Sequence, residues 1–534
     1  MRSSRPALGS FGLFGFVCLA GSIAAAGACS SAPDTRRVVT APQAHPQPPV
    51  DAMVSDPLEY RIERPTEEAG QAIFTRTGIG DPYRTGMPYP VFLALLELHP
   101  ELLGATPKEM ADRFGFTQRA ADPSSDDRDA REGLPYGLHL TDDPNTRVPF
   151  VVHNCGLCHT GTVRWPGGEK VVVGMGNRYI RIHAFEDALA KVTRAPDFDK
   201  AHVAPVAARI AHDRDIPWSP DVRGAVLTNT MRVMKDRFAE RQAFLERSHN
   251  ALPGRVATIE AFATALGQLL HRDVTTPATT GYTRIPDTIG YGVKRTLSWD
   301  GGSEGPSDAL VVDADIAAGM RIEWLYNHPL QGASLSAFLR HMSRDLHFPG
   351  RIDAALASKG KTAFETTCAK CHGTYEDDGR AKTYTEKVVP IAYVDTDPAR
   401  ASAVTDSFLA AANDPRLVVG GIALVKTRRT EGYVPPVLTS IWARGPYGHA
   451  GQWPSLAVLA MKPSARPTKF VVRGSAPLDI EKVGVQTDDA NAPLEPRDFV
   501  QDDTVPGFNP SGHPFLADLP DDTRAAVLEY LKTL

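Results

Sequence analysis

Two pentapeptides in this 534-residue chain carry residue types and a spacing that can do chemistry: Cys155-Gly156-Leu157-Cys158-His159 and Cys368-Ala369-Lys370-Cys371-His372. Two thiols about one helical turn apart can each add to a vinyl group of a haem, and the adjoining imidazole can bind the iron. Cys-x-x-Cys-His is the attachment pattern of c-type haem. Two covalent haems are expected, one on Cys155, Cys158 and His159, the other on Cys368, Cys371 and His372. With 6 Cys and 16 His in the chain, chance would place one such pentapeptide roughly 0.002 times. Two other readings of the thiols stay open. A redox dithiol does not require the trailing histidine, and no βαβ pattern surrounds either site. A zinc ion on all four cysteines is opposed only by the long stretch between the pairs.

The elements that must position these groups differ between the motifs. Ahead of the second, Gly360-Lys361-Thr362-Ala363-Phe364-Glu365 is a helix-forming run ending at Cys368, with Phe364 one turn before the cysteine. It resembles the first helix of a cytochrome c domain. Near the end of the chain Asp521 and Asp522 favour a helix start, and Val527, Leu528, Leu531 and Leu534 make one apolar face. In cytochrome c folds such a closing helix crosses the first, so residues 346–534 are expected to form one haem domain with a long internal excursion. The first motif lies in a larger region, 59–345, where Phe150-Val151-Val152 reads as a short strand or helix before Asn154. Leu227, Met231, Met234, Phe238 and Leu245 mark a long amphipathic helix stopping near Asn250-Ala251-Leu252-Pro253-Gly254, and Val256, Ile259, Phe262, Leu266 and Leu269 mark a second. Methionines on such faces read as core. No internal repeat beyond the two haem motifs is visible. The expected fold class is mainly α: two cytochrome c-like haem domains with long loop-rich insertions.

Composition agrees with a globular protein of about three domains, being 42% hydrophobic and 23% charged. The 44 Gly and 44 Pro predict many turns. A formal charge of −5, with no basic patch, argues against a nucleic-acid partner. Arg2 and Arg5 precede the apolar run Phe11 to Ala20 and the small residues Ala24 to Ala28, which reads as a signal peptide over 1–28. Ala26-Gly27-Ala28-Cys29 resembles the lipobox of bacterial lipoproteins. That resemblance implies a lipid anchor on Cys29, and Ser30 resembles outer-membrane sorting; a free periplasmic protein is the alternative. Residues 29–58, with Pro42, Pro46, Pro48 and Pro49, read as an extended tether on the periplasmic side of a membrane.

A family resemblance rests on Gly432-Tyr433-Val434-Pro435-Pro436-Val437-Leu438, on Ile441-Trp442-Ala443-Arg444-Gly445-Pro446-Tyr447-Gly448-His449-Ala450-Gly451, and on Pro454-Ser455-Leu456. These segments resemble the bacterial di-haem cytochromes of the cytochrome c peroxidase and MauG superfamily. The rubber-oxygenase-like subgroup is the most similar, through Arg466-Pro467-Thr468-Lys469-Phe470, Asn509-Pro510-Ser511-Gly512-His513-Pro514-Phe515, the closing Leu528-Glu529-Tyr530-Leu531-Lys532-Thr533-Leu534, and Leu297-Ser298-Trp299-Asp300-Gly301-Gly302. The resemblance implies that His513 is the distal ligand of the iron on His372, with Met461 as the alternative. It implies that His449 is a second-sphere or propionate partner and that Trp299 lies between the haems, where an indole can relay an electron. Rubber oxygenases also resemble one another in a Phe cap shortly after this Trp; Val311 to Ile316 holds no aromatic residue, a departure from polyisoprene cleavage. For the iron on His159 no sixth ligand stands out: His183 could close it, but it reads rather as a core or surface histidine, and an open or weakly closed iron is expected there.

Filled axial positions favour electron transfer and an open one admits peroxide or oxygen. Two functions follow. In the first the chain is a peroxidase- or oxygenase-type oxidoreductase reacting at the haem on His159, with Trp299 coupling the sites. In the second it is a non-catalytic electron-transfer cytochrome serving periplasmic donors and acceptors.

Overall fold

The computed structural model describes residues 66–534, except 79–81, 249–250, 297, 305–328, 342–345, 420–421 and 424–425. The export segment, the Cys29 tether and the stretch Val311 to Ile316 lie outside the described residues.

The helix ahead of the second motif spans Ala354–Thr367, with the Asp353 side chain accepting from the amides of Ala355 and Leu356 at its start. It crosses the closing helix Asp521–Leu531. Gly360 permits the crossing: a Cβ there would lie 1.9 Å from the Ala526 carbonyl oxygen. One turn on, Phe364 packs on Tyr530 with ring centroids 5.3 Å apart.

The same crossing occurs a second time. Helix Glu67–Arg76 packs on helix Pro329–His341. A Cβ on Gly70 would lie 1.9 Å from the Ser334 carbonyl oxygen, and Phe74 meets Phe338 at 5.5 Å. Gly70 and Phe74 stand at the spacing of Gly360 and Phe364, and Ser334 and Phe338 at that of Ala526 and Tyr530. The first half thus has a helix equivalent to Ala354–Thr367, separated from its motif by a long insertion. Phe74, Phe338, Phe364, Tyr530 and Trp442 share one apolar core, each fully buried aromatic contributing about 2–3 kcal/mol.

Helix makes up 42% and strand 14% of the structure, so the fold is mixed α/β with several small sheets, not mainly α. The expectation failed because most strands here are short ladders closing loops, too brief for alternation to show. Thr160–Trp165 pairs with Gly168–Val173 directly after the first motif, Thr160 opposite Val173 and Trp165 opposite Gly168. The turn between them places Gly167 at φ 92°, a conformation favouring glycine. Phe150-Val151-Val152 belongs to strand Pro149–His153, central between Leu138–Asp142 and Met87–Pro88. Lys469–Val472 is likewise central, between Thr487–Asp488 and Phe499–Asp502.

The amphipathic run from Leu227 divides into Pro220–Glu240 and Gln242–Ser248. The next helix is Thr258–Leu270, with Val256 on the short strand Arg255–Val256. Leu227, Met231, Met234, Phe238 and Leu245 are core residues of the insertion. Among the described residues no helix is long and apolar enough to cross a membrane.

Candidate functional site

Cys368 ends helix Ala354–Thr367, and the short turn Ala369–His372 presents the imidazole of His372. Its Nδ1 lies 2.9 Å from the Pro436 carbonyl oxygen. A carbonyl only accepts, so Nδ1 carries the proton and the Nε2 lone pair is left for a metal. Tyr375 ties the two partners together: its hydroxyl donates to the His372 carbonyl at 2.8 Å and accepts from the Leu438 amide at 2.7 Å.

Beyond His372 opens a cavity walled largely by apolar side chains including Ile441, Leu456, Leu459 and Leu531. His513 faces His372 across it, the ring centroids 6.3 Å apart. A metal–imidazole bond is about 2.0–2.1 Å and a ring centroid lies roughly 1.2 Å from its nitrogen, so two imidazoles on opposite sides of one ion stand ~6.4 Å apart. The observed spacing fits that geometry. The His513 Nδ1 is buried without a hydrogen-bond partner.

The loop carrying His513 is held rigidly. His513 has φ 47°, costly for a residue with a Cβ, and Arg466 compensates. One guanidinium donates to the carbonyls of Pro510 at 2.7 Å, Gly512 at 2.6 Å, Leu459 at 2.9 Å and His513 at 3.2 Å. The indole N–H of Trp453 adds a bond to the Pro510 carbonyl at 2.8 Å. Burial, with the charge of His372 adding to it, pushes His513 down to about 3; its imidazole is neutral at pH 7, as metal binding requires.

His449 lines the same cavity. It stacks on Tyr433 at 4.3 Å with an interplanar angle of 11°, and burial pushes it down to about 3. Met461 is 38% exposed and lies outside the cavity lining. Trp299 reaches the cavity from the first half. Its indole N–H points at the Arg284 carbonyl at 3.3 Å, its own carbonyl accepts from the Val434 amide at 2.8 Å, and the Arg284 guanidinium lies 5.6 Å from its ring centroid.

The first motif repeats the construction. His159 Nδ1 lies 2.9 Å from the Pro286 carbonyl oxygen, and burial lowers the pKa of His159 as it does that of His372. Phe74 meets the His159 ring edge-on at 6.5 Å. Asn154 returns the chain from the insertion: its Oδ1 accepts from the Gly156 amide at 2.9 Å and its Nδ2 donates to the Thr75 carbonyl at 2.8 Å. His183 is a core residue. Its Nε2 accepts from the Ala257 amide at 3.1 Å and its Nδ1 bonds Glu186 at 3.3 Å, so neither nitrogen is left for a metal.

The competing chemistries of the thiols fit less well. Redox dithiols carry a lowered thiol pKa, whereas burial pushes Cys158 up to about 12 and Cys368 up to about 11. The four cysteines form no disulfide. No three His, Cys, Asp or Glu gather as a metal-ligand group among the described residues, which removes a shared four-cysteine zinc site.

Sequence reasoning missed the proline carbonyls, the Arg466 clamp and the duplicated helix crossing. A signal was present: Pro286 and Trp299 stand at the spacing of Pro436 and His449, a faint internal repeat alongside that of Gly70 and Phe74.

Residues 432–471, which include Tyr433, Pro436, His449, Trp453 and Arg466, match the family model described as RoxA-like, cytochrome c-like. The chain is similar to two uncharacterized proteins of Sinorhizobium fredii (strain NBRC 101917 / NGR234). It is 29% identical to y4iM over 27% of this chain and 36% of that protein, and 25% identical to y4iJ over 35% of this chain and 40% of that protein. The aligned part therefore spans 40% or less of these relatives. The chain carries a cytochrome c-like segment of the rubber-oxygenase-like type, and that segment implies covalently bound haem c.

Proposed function

We propose that this protein is an exported di-haem c-type oxidoreductase of peroxidase or oxygenase type. Cys155, Cys158 and His159 hold one haem; Cys368, Cys371, His372 and His513 hold the other. The observation that carries the reading is the doubled cradle: each motif histidine donates to a proline carbonyl beside a Gly-and-Phe helix crossing. A haem iron supplies one-electron chemistry and, with an open axial position, a place for peroxide or oxygen.

The chain's own residues divide the work. His372 and His513 occupy both faces of the second site, which suits electron storage, and His449 with Tyr433 closes its wall. His159 holds the site assigned to reaction. Trp299 extends from the loop region beside Pro286 to the cavity of His372 and provides an aromatic ring in the interval. Lipid on Cys29 anchors the protein on the periplasmic side of an outer membrane, where it meets periplasmic redox partners. The optical spectrum tests the reading. One low-spin and one high-spin ferric haem, the latter reacting rapidly with hydrogen peroxide, are expected; two low-spin haems inert to peroxide and carbon monoxide would make the protein an electron carrier.

A further inference from the structure

Two buried charged side chains, Asp287 and Arg444, and the half-buried Arg284 lie between the cradles, and neither haem attachment nor closure by His513 uses them. Asp287 directly follows Pro286, whose carbonyl accepts from His159. Its Oδ2 accepts from Arg444 Nε at 2.8 Å and from Arg284 Nη2 at 2.9 Å. Arg444 Nη1 in turn donates to the carbonyls of Val437 and Thr439, the latter at 3.1 Å. Val437 directly follows Pro436, whose carbonyl accepts from His372. Arg284 Nη1 donates to the carbonyls of Arg444 and Pro446, each at 2.6 Å. The Asp287 side chain is 1% exposed and that of Arg444 6%.

We infer that Asp287 is a positioning residue that couples the two haem sites, tying through Arg444 and Arg284 the two loops that present proline carbonyls to both motif histidines. The inference rests on the di-haem reading. The partner of a ligating histidine's second nitrogen fixes ring orientation and tunes ligand basicity. Here one partner carbonyl belongs to the residue before Asp287 and the other to the residue before Val437, whose own carbonyl accepts from the Arg444 that pairs with Asp287. Charges so deeply buried are weakly screened and act on both sites. Asp287→Asn removes a negative charge and leaves two guanidinium groups in excess, which favours the reduced state at both irons. Arg444→Gln removes a positive charge and favours the oxidised state at both. A structural role alone, in which each variant merely loosens the loops, has no reason to give opposite signs.

The experiment is a spectroelectrochemical titration of the full-length haem-loaded protein and of the variants Asp287→Asn, Asp287→Glu and Arg444→Gln, with haem counted in each. Both midpoint potentials should rise in Asp287→Asn, both should fall in Arg444→Gln, and Asp287→Glu should stay near the parent. If only one wave moves, or if both variants shift potentials in the same direction, the coupling role is overturned while the di-haem reading stands. Should Asp287→Asn not accumulate, Arg444→Gln decides alone by whether both waves fall. A single haem in the parent overturns both readings.

Discussion

Alanine at Gly360 should destabilise the protein, although helix propensity alone argues the reverse. The added Cβ would lie 1.9 Å from the Ala526 carbonyl oxygen and 2.9 Å from Tyr530 Cβ, where real Cβ atoms essentially never come within 3.0 Å. The obstacle is the backbone of the closing helix, so the crossing must open by over an ångström and the Phe364–Tyr530 packing opens with it. Overpacking a core costs about 1–3 kcal/mol, and a rigid backbone obstacle belongs at the upper end. Replacing a helical glycine by alanine returns about 1 kcal/mol, leaving a net loss of ~2 kcal/mol. The compact unit runs from Val50 to Leu534, and at about 2.1 cal/mol/K of unfolding entropy per residue each kcal/mol is worth roughly 1 °C in a unit of that size, so the melting temperature should fall by ~2 °C. Circular dichroism of the haem-loaded protein on heating measures it, and Gly70→Ala should behave alike because Ser334 stands where Ala526 does. A melting temperature equal to or above the parent's would mean that the helices do not cross at Gly360.

Other outcomes follow from the same structure. His513→Ala should convert one haem from low to high spin while covalent haem content is kept, and Met461→Ala, altering a side chain outside the cavity lining, should leave the spin state alone; the reverse pattern would move the ligand to Met461. Burial by itself would raise the Glu186 carboxyl, but Arg241 and His183 hold it down to about 2. A carboxyl depressed on folding stabilises above its ordinary value of 4.5 and loses that contribution as pH falls through the folded value. Acid titration of stability between about pH 4.5 and 2 should therefore be shallower in Glu186→Gln, which at pH 7 is weaker by about 3 kcal/mol for leaving Arg241 unpaired; equal slopes would contradict it. Cys29→Ser should release the protein from membranes with its spectrum unchanged, and retention would mean that Cys29 is not the anchor.

The parts of the site legible in the sequence are those fixed by covalent chemistry or local spacing. Cys-x-x-Cys-His must be contiguous because one haem takes all three groups, and the Gly-His-x-Phe segment at His513 carries a resemblance in a few residues. What escaped depends on contacts between distant segments. Helix Glu67–Arg76 is separated from Cys155 by an inserted region with its own core, so Gly70 and Phe74 do not announce the motif as Gly360 and Phe364 do. Pro286 and Pro436 act through backbone carbonyls, which leave no side-chain signature. Asp287 pairs with Arg444 only once the two loops meet. The helical bias of the sequence reading has a similar origin: two-residue pairings such as Val389–Pro390 with Gly432–Tyr433 are set by loop closure, not by periodic burial.

The most direct test of the doubled cradle is the number of covalent haems per chain, measured on the denatured protein from its pyridine haemochrome spectrum. Two haems per chain are predicted for the parent, with Cys155→Ala and Cys368→Ala each impairing attachment at one site and leaving the other intact. One haem per chain in the parent, or haem wholly extractable into acid acetone, would contradict the account.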